Sequence, residues 1–261
     1  MRSSPSTPAD KSVLHVERRA PPPLLIPPKL QLSKPCQRAA PPHFPDIIGN
    51  VSKKEVADKS RVEQVASAYF PTRWGQFRIY GFRGSIGSDG SHRVEEAVAL
   101  VMGDVKSAPP LVRVHSQCLT GDVFHSLRCD CRQQLELSLS LIADEGAGIL
   151  IYEQQEGRGI GLMAKLQAYE LQDAGLDTVE ANVQLGFKAD LRDFTLPGEI
   201  LKALGVTSVR LLSNNPEKVE ALERAGVRVA ERVPCEVTPS PHAEEYLRTK
   251  KEKLGHLFTS G

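Results

Sequence analysis

Between residues 77 and 233 short apolar runs alternate with longer helical segments, and that alternation restricts the chain to an α/β layered fold. Phe77–Phe82, Ala97–Met102, Leu111–Val114, Gly148–Tyr152, Ser208–Leu212 and Val227–Val233 read as strands. Gln134–Asp144 has apolar residues at 135, 137, 139, 141 and 142, a mixed period that its Ala, Leu, Glu and Gln content resolves as helix. Ile160–Ala174 reads as a helix closed by Gly175, with Leu162, Ala164, Leu166, Ala168 and Tyr169 on its apolar sides. Ile200–Leu204 is helical, and Asn215-Pro216 starts a helix that runs to Ala225 and ends at Gly226.

Residues 1–60 differ from the rest. Ala20–Pro28 and Ala39–Pro45 are rich in proline, which fixes φ and removes backbone donors, so this segment is expected to be a poorly ordered extension, docked at most through Leu24–Ile26, ahead of a folded domain at 61–261. Its Pro clusters and charges do not make a signal peptide, and no apolar run reaches the ~18 residues of a membrane span, so a cytoplasmic protein with no membrane partner is expected. Formal charge is +1, which gives no bulk attraction to nucleic acid; an anionic ligand would be held by locally placed Arg and Lys.

Three of the five cysteines, Cys118, Cys129 and Cys131, fall within fourteen residues. That is a poor disulfide framework and a better metal site. Three thiolates suit zinc and leave one tetrahedral position for water, whose pKa would fall from 15.7 to roughly 7. Spacing alone leaves three readings open: a catalytic zinc, a structural zinc completed by His115 or His125, or unpaired cysteines. A second string, Glu153–Gly161, joins a strand end to a helix start. It is either a glycine-rich connector or a ligand loop, with Glu156 accepting from a base and Arg158 meeting a phosphate. Asp190-Leu191-Arg192 is either a surface ion pair or, given flanking Phe187 and Phe194, a partly buried functional pair.

Arg113–Asp122, Ser126–Cys131, Gln155–Leu162, Tyr169–Gln172, Asp177–Asn182, Gln184–Phe187, Asp190–Phe194, Leu211–Pro216 and Tyr246–His256, in this order, resemble the GTP cyclohydrolase II family over roughly residues 65–258. The resemblance implies that family's fold, a layered mixed sheet with flanking helices, and its reaction: GTP loses C8 as formate and two phosphates as pyrophosphate, opening riboflavin synthesis. It implies one zinc per subunit on Cys118, Cys129 and Cys131, with water in the fourth position, magnesium on the triphosphate, and a homodimer. It assigns substrate contacts to Arg113, Val114, His115, Ser116, Gln117, Gln134, Glu156, Gly157, Arg158, Thr178, Ser213 and Lys218. Asp190 takes the place of a proton acceptor and Arg192 that of a nucleophile toward the α-phosphate. On physical grounds an arginine, protonated at any ordinary pH, is expected to stabilise phosphate charge instead. Tyr169 matches a tyrosine needed by the second hydrolytic step; its other reading is a core-facing aromatic.

Three positions depart from what the resemblance leads one to expect: Gln117 for Glu, Arg132 for Gly, where it would add a cation at the site mouth, and Ser213 for Thr. Residues 1–60 are too short for the dihydroxybutanone-phosphate synthase domain that precedes this module in many bacteria, so a single activity is expected. The rival readings are a paralogue that stops at the formamido product and a silent nucleotide sensor that keeps zinc as a structural element.

Overall fold

The computed structural model describes residues 62–86, 93–238 and 240–257. The Pro-rich 1–60 segment lies outside them. Seven strands form one mixed sheet in the order β1-β2-β3-β5-β4-β6-β7: β1 (Val62–Thr72), β2 (Gly75–Ile86), β3 (Arg93–Met102), β4 (Leu111–Ser116), β5 (Gly148–Glu153), β6 (Ser208–Leu212) and β7 (Arg228–Val233). β1, β2, β3 and β5 pair antiparallel, while β5, β4, β6 and β7 are parallel neighbours.

The central strands are buried on both faces, and their two-residue period divides the core. Val112 and Val114 of β4, Ile149 and Ile151 of β5 and Val209 and Leu211 of β6 join one cluster. Its other half is Leu196, Ile200 and Leu201 of α5 (Thr195–Ala203) and Ala221 and Leu222 of α6 (Pro216–Arg224). Leu111, Leu150 and Leu212 point the opposite way, against Leu139 and Ile142 of α2 (Cys131–Glu145). The same alternation places Arg113 and His115 on the α2 face, buried at the carboxyl end of β4. β4 connects to β5 through α2 on one face, whereas the path from β5 to β6 ends in α5 on the other. Open α/β sheets bind ligands at such a switch point, beyond the carboxyl ends of their strands.

The expected strands and helices are present, with corrections. β1 was not readable: only Val62 among its described side chains is buried, so its sequence lacks an apolar alternation. Short α1 (Leu119–Asp122) and α4 (Thr178–Gln184) were also missed, although Asp177 and Glu180 form a reciprocal capping box at the start of α4. The helix expected over 160–174 is α3 (Leu162–Asp173), but its apolar sides are not core. Met163 and Leu166 are exposed and only Ala168 is buried.

Leu201 is fully buried beneath the sheet. Leu201→Ala is expected to lower unfolding free energy by about 2–5 kcal/mol, read by denaturant titration.

Candidate active site

Ser116, Glu153 and Leu212 end β4, β5 and β6, and the loops leaving these three ends build the site. The first loop holds the cysteines and folds back on Asp122. Its carboxylate accepts from Cys118 N–H (3.0 Å) and the Tyr152 hydroxyl (2.8 Å), and meets His115 Nε2 at 3.2 Å. The His115 ring stacks on Tyr152. Burial lowers its pKa, so the ring is neutral with its proton toward Asp122, and Nδ1 has no partner.

This hub fixes Cys118 beside Cys129, with sulfurs 3.7 Å apart, and all three cysteine sulfurs lie within 4.8 Å of one another. Two thiolates about 2.3 Å from a tetrahedral ion stand about 3.8 Å apart, so the spacing fits zinc. The space is shaped for an ion: a Cβ on Gly121 would lie 3.1 Å from two of the sulfurs. Among the described residues no histidine or carboxylate joins the cluster, so neither His115 nor His125 closes it. Contact with Cys129 and then Cys131 holds the Cys118 thiol far below the usual range, and the contact with Cys118 pushes Cys129 up to about 11. Lys165 adds a cation 3.2 Å from that sulfur.

The second loop, Glu156–Gly159, is one tight turn in which Gly157 and Arg158 both have positive φ, +63° and +60°. For arginine that backbone is strained, and it aims Arg158 across the mouth of the strand ends. Glu156 is buried and held in place: Leu119 N–H donates to one oxygen (2.7 Å), and Lys165 (2.6 Å) and Gly157 N–H share the other.

Two adjoining chambers result. One is lined by the cysteines, Ser116, Gln117, Glu156 and Tyr169; the other is lined by Arg113, His115, Gln134, Ser213 and Lys218. Ser116, Cys131, Arg158, Arg192 and Tyr246 line both. Among the described residues five Lys and Arg side chains and no carboxylate line the second chamber. Burial, then the nearby Arg113 and Arg192, pushes Lys218 well below the usual lysine range, a strain that a bound polyanion relieves. Lys218 donates to the Val114 carbonyl (2.8 Å); Arg113 donates to Gln134 (2.7 Å) and the Leu212 carbonyl. Asp190 holds the Arg192 guanidinium through Nε (2.9 Å) and Nη2. Burial would raise the Asp190 pKa, but Arg192 outweighs it and keeps the carboxylate charged; Arg192 is raised in turn, so it retains its proton.

Most residues singled out in the sequence therefore converge on one place, with two differences. The Val114 side chain is in the core, and only its carbonyl, taken by Lys218, faces this region. Arg132 lines neither chamber: it donates to the Asp122 carbonyl (2.8 Å) and pairs with Glu136, so it props the cysteine loop. Tyr169 is half-buried in the cysteine chamber, its hydroxyl 3.1 Å from Thr120. Lys165, Ala168, Tyr169 and Gln172 all line that chamber, at spacings that repeat along one side of α3. Sequence reasoning missed Arg128, in the turn before Cys129, Lys165 and Gln172 on α3, and Asn182 on α4. It also missed any site role for Tyr246, Lys250 and His256.

A thiolate cluster sharing a wall with a cationic chamber defines an α/β protein equipped to hold a metal beside a polyanion. The chain belongs to the GTP cyclohydrolase II family, whose profile matches residues 63–234. GTP cyclohydrolase-2 of Escherichia coli is 56% identical over 199 residues, covering 76% of this chain and 98% of that protein. The riboflavin biosynthesis protein RibBA of Aquifex aeolicus is 51% identical over 213 residues, 81% of this chain and 51% of that protein. The chain thus spans about half the length of that relative and nearly all of the shorter one. Among the described residues no helix is long and apolar enough to cross a membrane.

Gly121→Ala is expected to weaken zinc binding about 10–100-fold in chelator competition while the melting transition persists, because the added methyl presses on the sulfurs. Burial raises the Glu153 pKa to about 7, above its unfolded value near 4.5. The folded state then binds more protons between those values, so the carboxylate costs stability above pH 7 and nothing below pH 4.5. Glu153→Gln is expected to be more stable than wild type at pH 8, on the order of 1–3 kcal/mol, with the gain vanishing near pH 4.

Proposed function

We propose that this protein is a zinc-dependent hydrolase that converts GTP to 2,5-diamino-6-(5-phosphoribosylamino)pyrimidin-4(3H)-one, formate and pyrophosphate, the first step of riboflavin synthesis. The observation that carries the reading is the shared wall: three cysteine sulfurs within 4.8 Å of one another open onto one chamber, and a five-cation chamber adjoins it. A guanine in the first places its imidazole ring by the cysteines, and its triphosphate then falls among Arg113, Arg158, Arg192 and Lys218. Cys118, Cys129 and Cys131 would hold one zinc per subunit, which when bound supplies a water acidic enough to hydrolyse C8.

The chain's own groups do the rest. Lys165 and Leu119 N–H fix Glu156 at the edge of the base chamber, where a carboxylate accepts from the guanine amino and ring N–H groups. Gln117, Thr178 and Ser116 lie along the same wall. Tyr169 stands over the cysteines with Thr120 on its hydroxyl, placed to hand a proton to the opened ring. Arg192, protonated and gripped by Asp190, stabilises charge at the α-phosphate and does not need to act as a nucleophile. Asp190, kept anionic, remains available as a proton acceptor. Since none of the described residues lining the cationic chamber is a carboxylate, magnesium would arrive on the triphosphate. We also place the protein in the cytoplasm, where thiols such as those of Cys118, Cys129 and Cys131 stay reduced, and expect a homodimer, tested by mass in solution.

Incubated with GTP, magnesium and zinc, the purified protein should release formate and pyrophosphate in equal amounts. Pyrophosphate without formate would indicate the formamido product, and neither would indicate a sensor. Cys129→Ser should abolish formate release; persistent formate would refute the zinc assignment.

A further inference from the structure

The family profile stops at residue 234, yet both chambers have a wall from beyond it, in the Tyr246–His256 segment. That wall is α7 (Glu244–Leu254), a helix whose described side chains are largely polar but which buries Thr249 and Lys250. Burying an ammonium group is costly unless it is paired. Lys250 donates to Asp130 (2.8 Å), the residue between Cys129 and Cys131. Asp130 also accepts from Gln134, and Gln134 in turn accepts from Arg113. A continuous polar chain therefore runs from α7 to an arginine of the cationic chamber.

The second contact is shorter. The Tyr246 ring lines both chambers and lies beneath two cations, Lys250 at 4.4 Å and Arg158 at 5.6 Å from its centroid. Arg158 is the residue whose strained backbone carries it across the seam between the chambers, so its side chain needs a platform. The helix is fastened at its other end by Lys253, which pairs with Asp177 and Glu180 at the start of α4, and by Leu257 N–H, which donates to the Asn214 carbonyl (2.9 Å).

We propose that α7 is part of the substrate site and that its task is to position the phosphate-binding arginines. Tyr246 holds Arg158 through its ring face, and Lys250 sets Arg113 through Asp130 and Gln134. Both are positioning residues. The inference rests on the assignment of the two chambers to GTP, and it predicts a selective defect: loss of α7 contacts weakens recognition of the triphosphate while sparing the base and the metal.

The test uses the full zinc-loaded chain. Tyr246→Leu keeps bulk and removes the ring face, and should raise KM for GTP about five- to twentyfold, with kcat within about twofold and zinc content unchanged. Its affinity for guanosine, which has no phosphates, should stay near that of wild type. Tyr246→Phe, which keeps the ring, should recover most of the loss. An unchanged KM in Tyr246→Leu, an equal loss of guanosine affinity, or no recovery in Tyr246→Phe would overturn the proposal. In wild type, inorganic pyrophosphate should slow amide hydrogen exchange across 246–257; no slowing would also overturn it, whether or not the leucine variant folds. Wild type that releases neither formate nor pyrophosphate would instead defeat the GTP reading itself.

Discussion

Strand β4 has no solvent face, and the site depends on that constraint. Val112 and Val114 are committed to the α5–α6 side and Leu111 to the α2 side, so the register of β4 cannot slip by one residue without turning valines to the face of Arg113 and His115 and burying Arg113 in a dry core. With register fixed, Arg113 and His115 must emerge at the carboxyl end on the α2 face, and Cys118 must follow two residues after the strand stops. The neighbouring β5 ends level with it and β6 ends beside Arg113, and they contribute the glycine turn and the Ser213–Asn215 loop. Geometry that a metal and a nucleotide both require is thus inherited from apolar packing.

The charges at these strand ends are arranged in opposite senses. Around the cysteines, sulfurs that repel one another as thiolates are crowded together, with Lys165 as a nearby cation, which favours a divalent ion. In the adjoining chamber the excess is positive. Arg192 has Asp190 and Lys250 has Asp130, but Lys218 is buried among other cations with a carbonyl for a partner. Neither half is at rest alone. Such preorganised, uncompensated charge in a desolvated pocket is how a site stabilises charge that arrives with the substrate or develops during reaction.

How much of this was legible in the sequence depended on the length scale of each signal. The buried strands β4, β5 and β6 and the Asn215-Pro216 helix start were readable because short-range period and capping chemistry report them directly. The three cysteines were readable from spacing, but not their openness, which rests on Gly121 and on His115 being turned away toward Asp122. β1 was invisible because it packs little of its surface. The α3 helix was readable from its period, but which way Leu162 and Leu166 face was not, since period cannot say whether a face meets a core, a cavity or solvent. Arg132 was misplaced for a related reason: sequence adjacency to Cys131 does not fix direction, and its position at the start of α2 turns it toward Glu136. The role of α7 was out of reach of local pattern altogether, since Lys250 and Asp130 are 120 residues apart.

The central claim is that one molecule of GTP spans both chambers, with C8 beside the three cysteines and the phosphates among the arginines. A crystal structure of the zinc-loaded protein with a non-hydrolysable GTP analogue tests it most directly. The account predicts an anomalous zinc signal held by Cys118, Cys129 and Cys131 alone among protein groups, with the base facing it and the phosphates contacted by Arg158, Arg192 and Lys218. A zinc closed by a fourth protein ligand, or phosphates lying on the cysteine side, would contradict it.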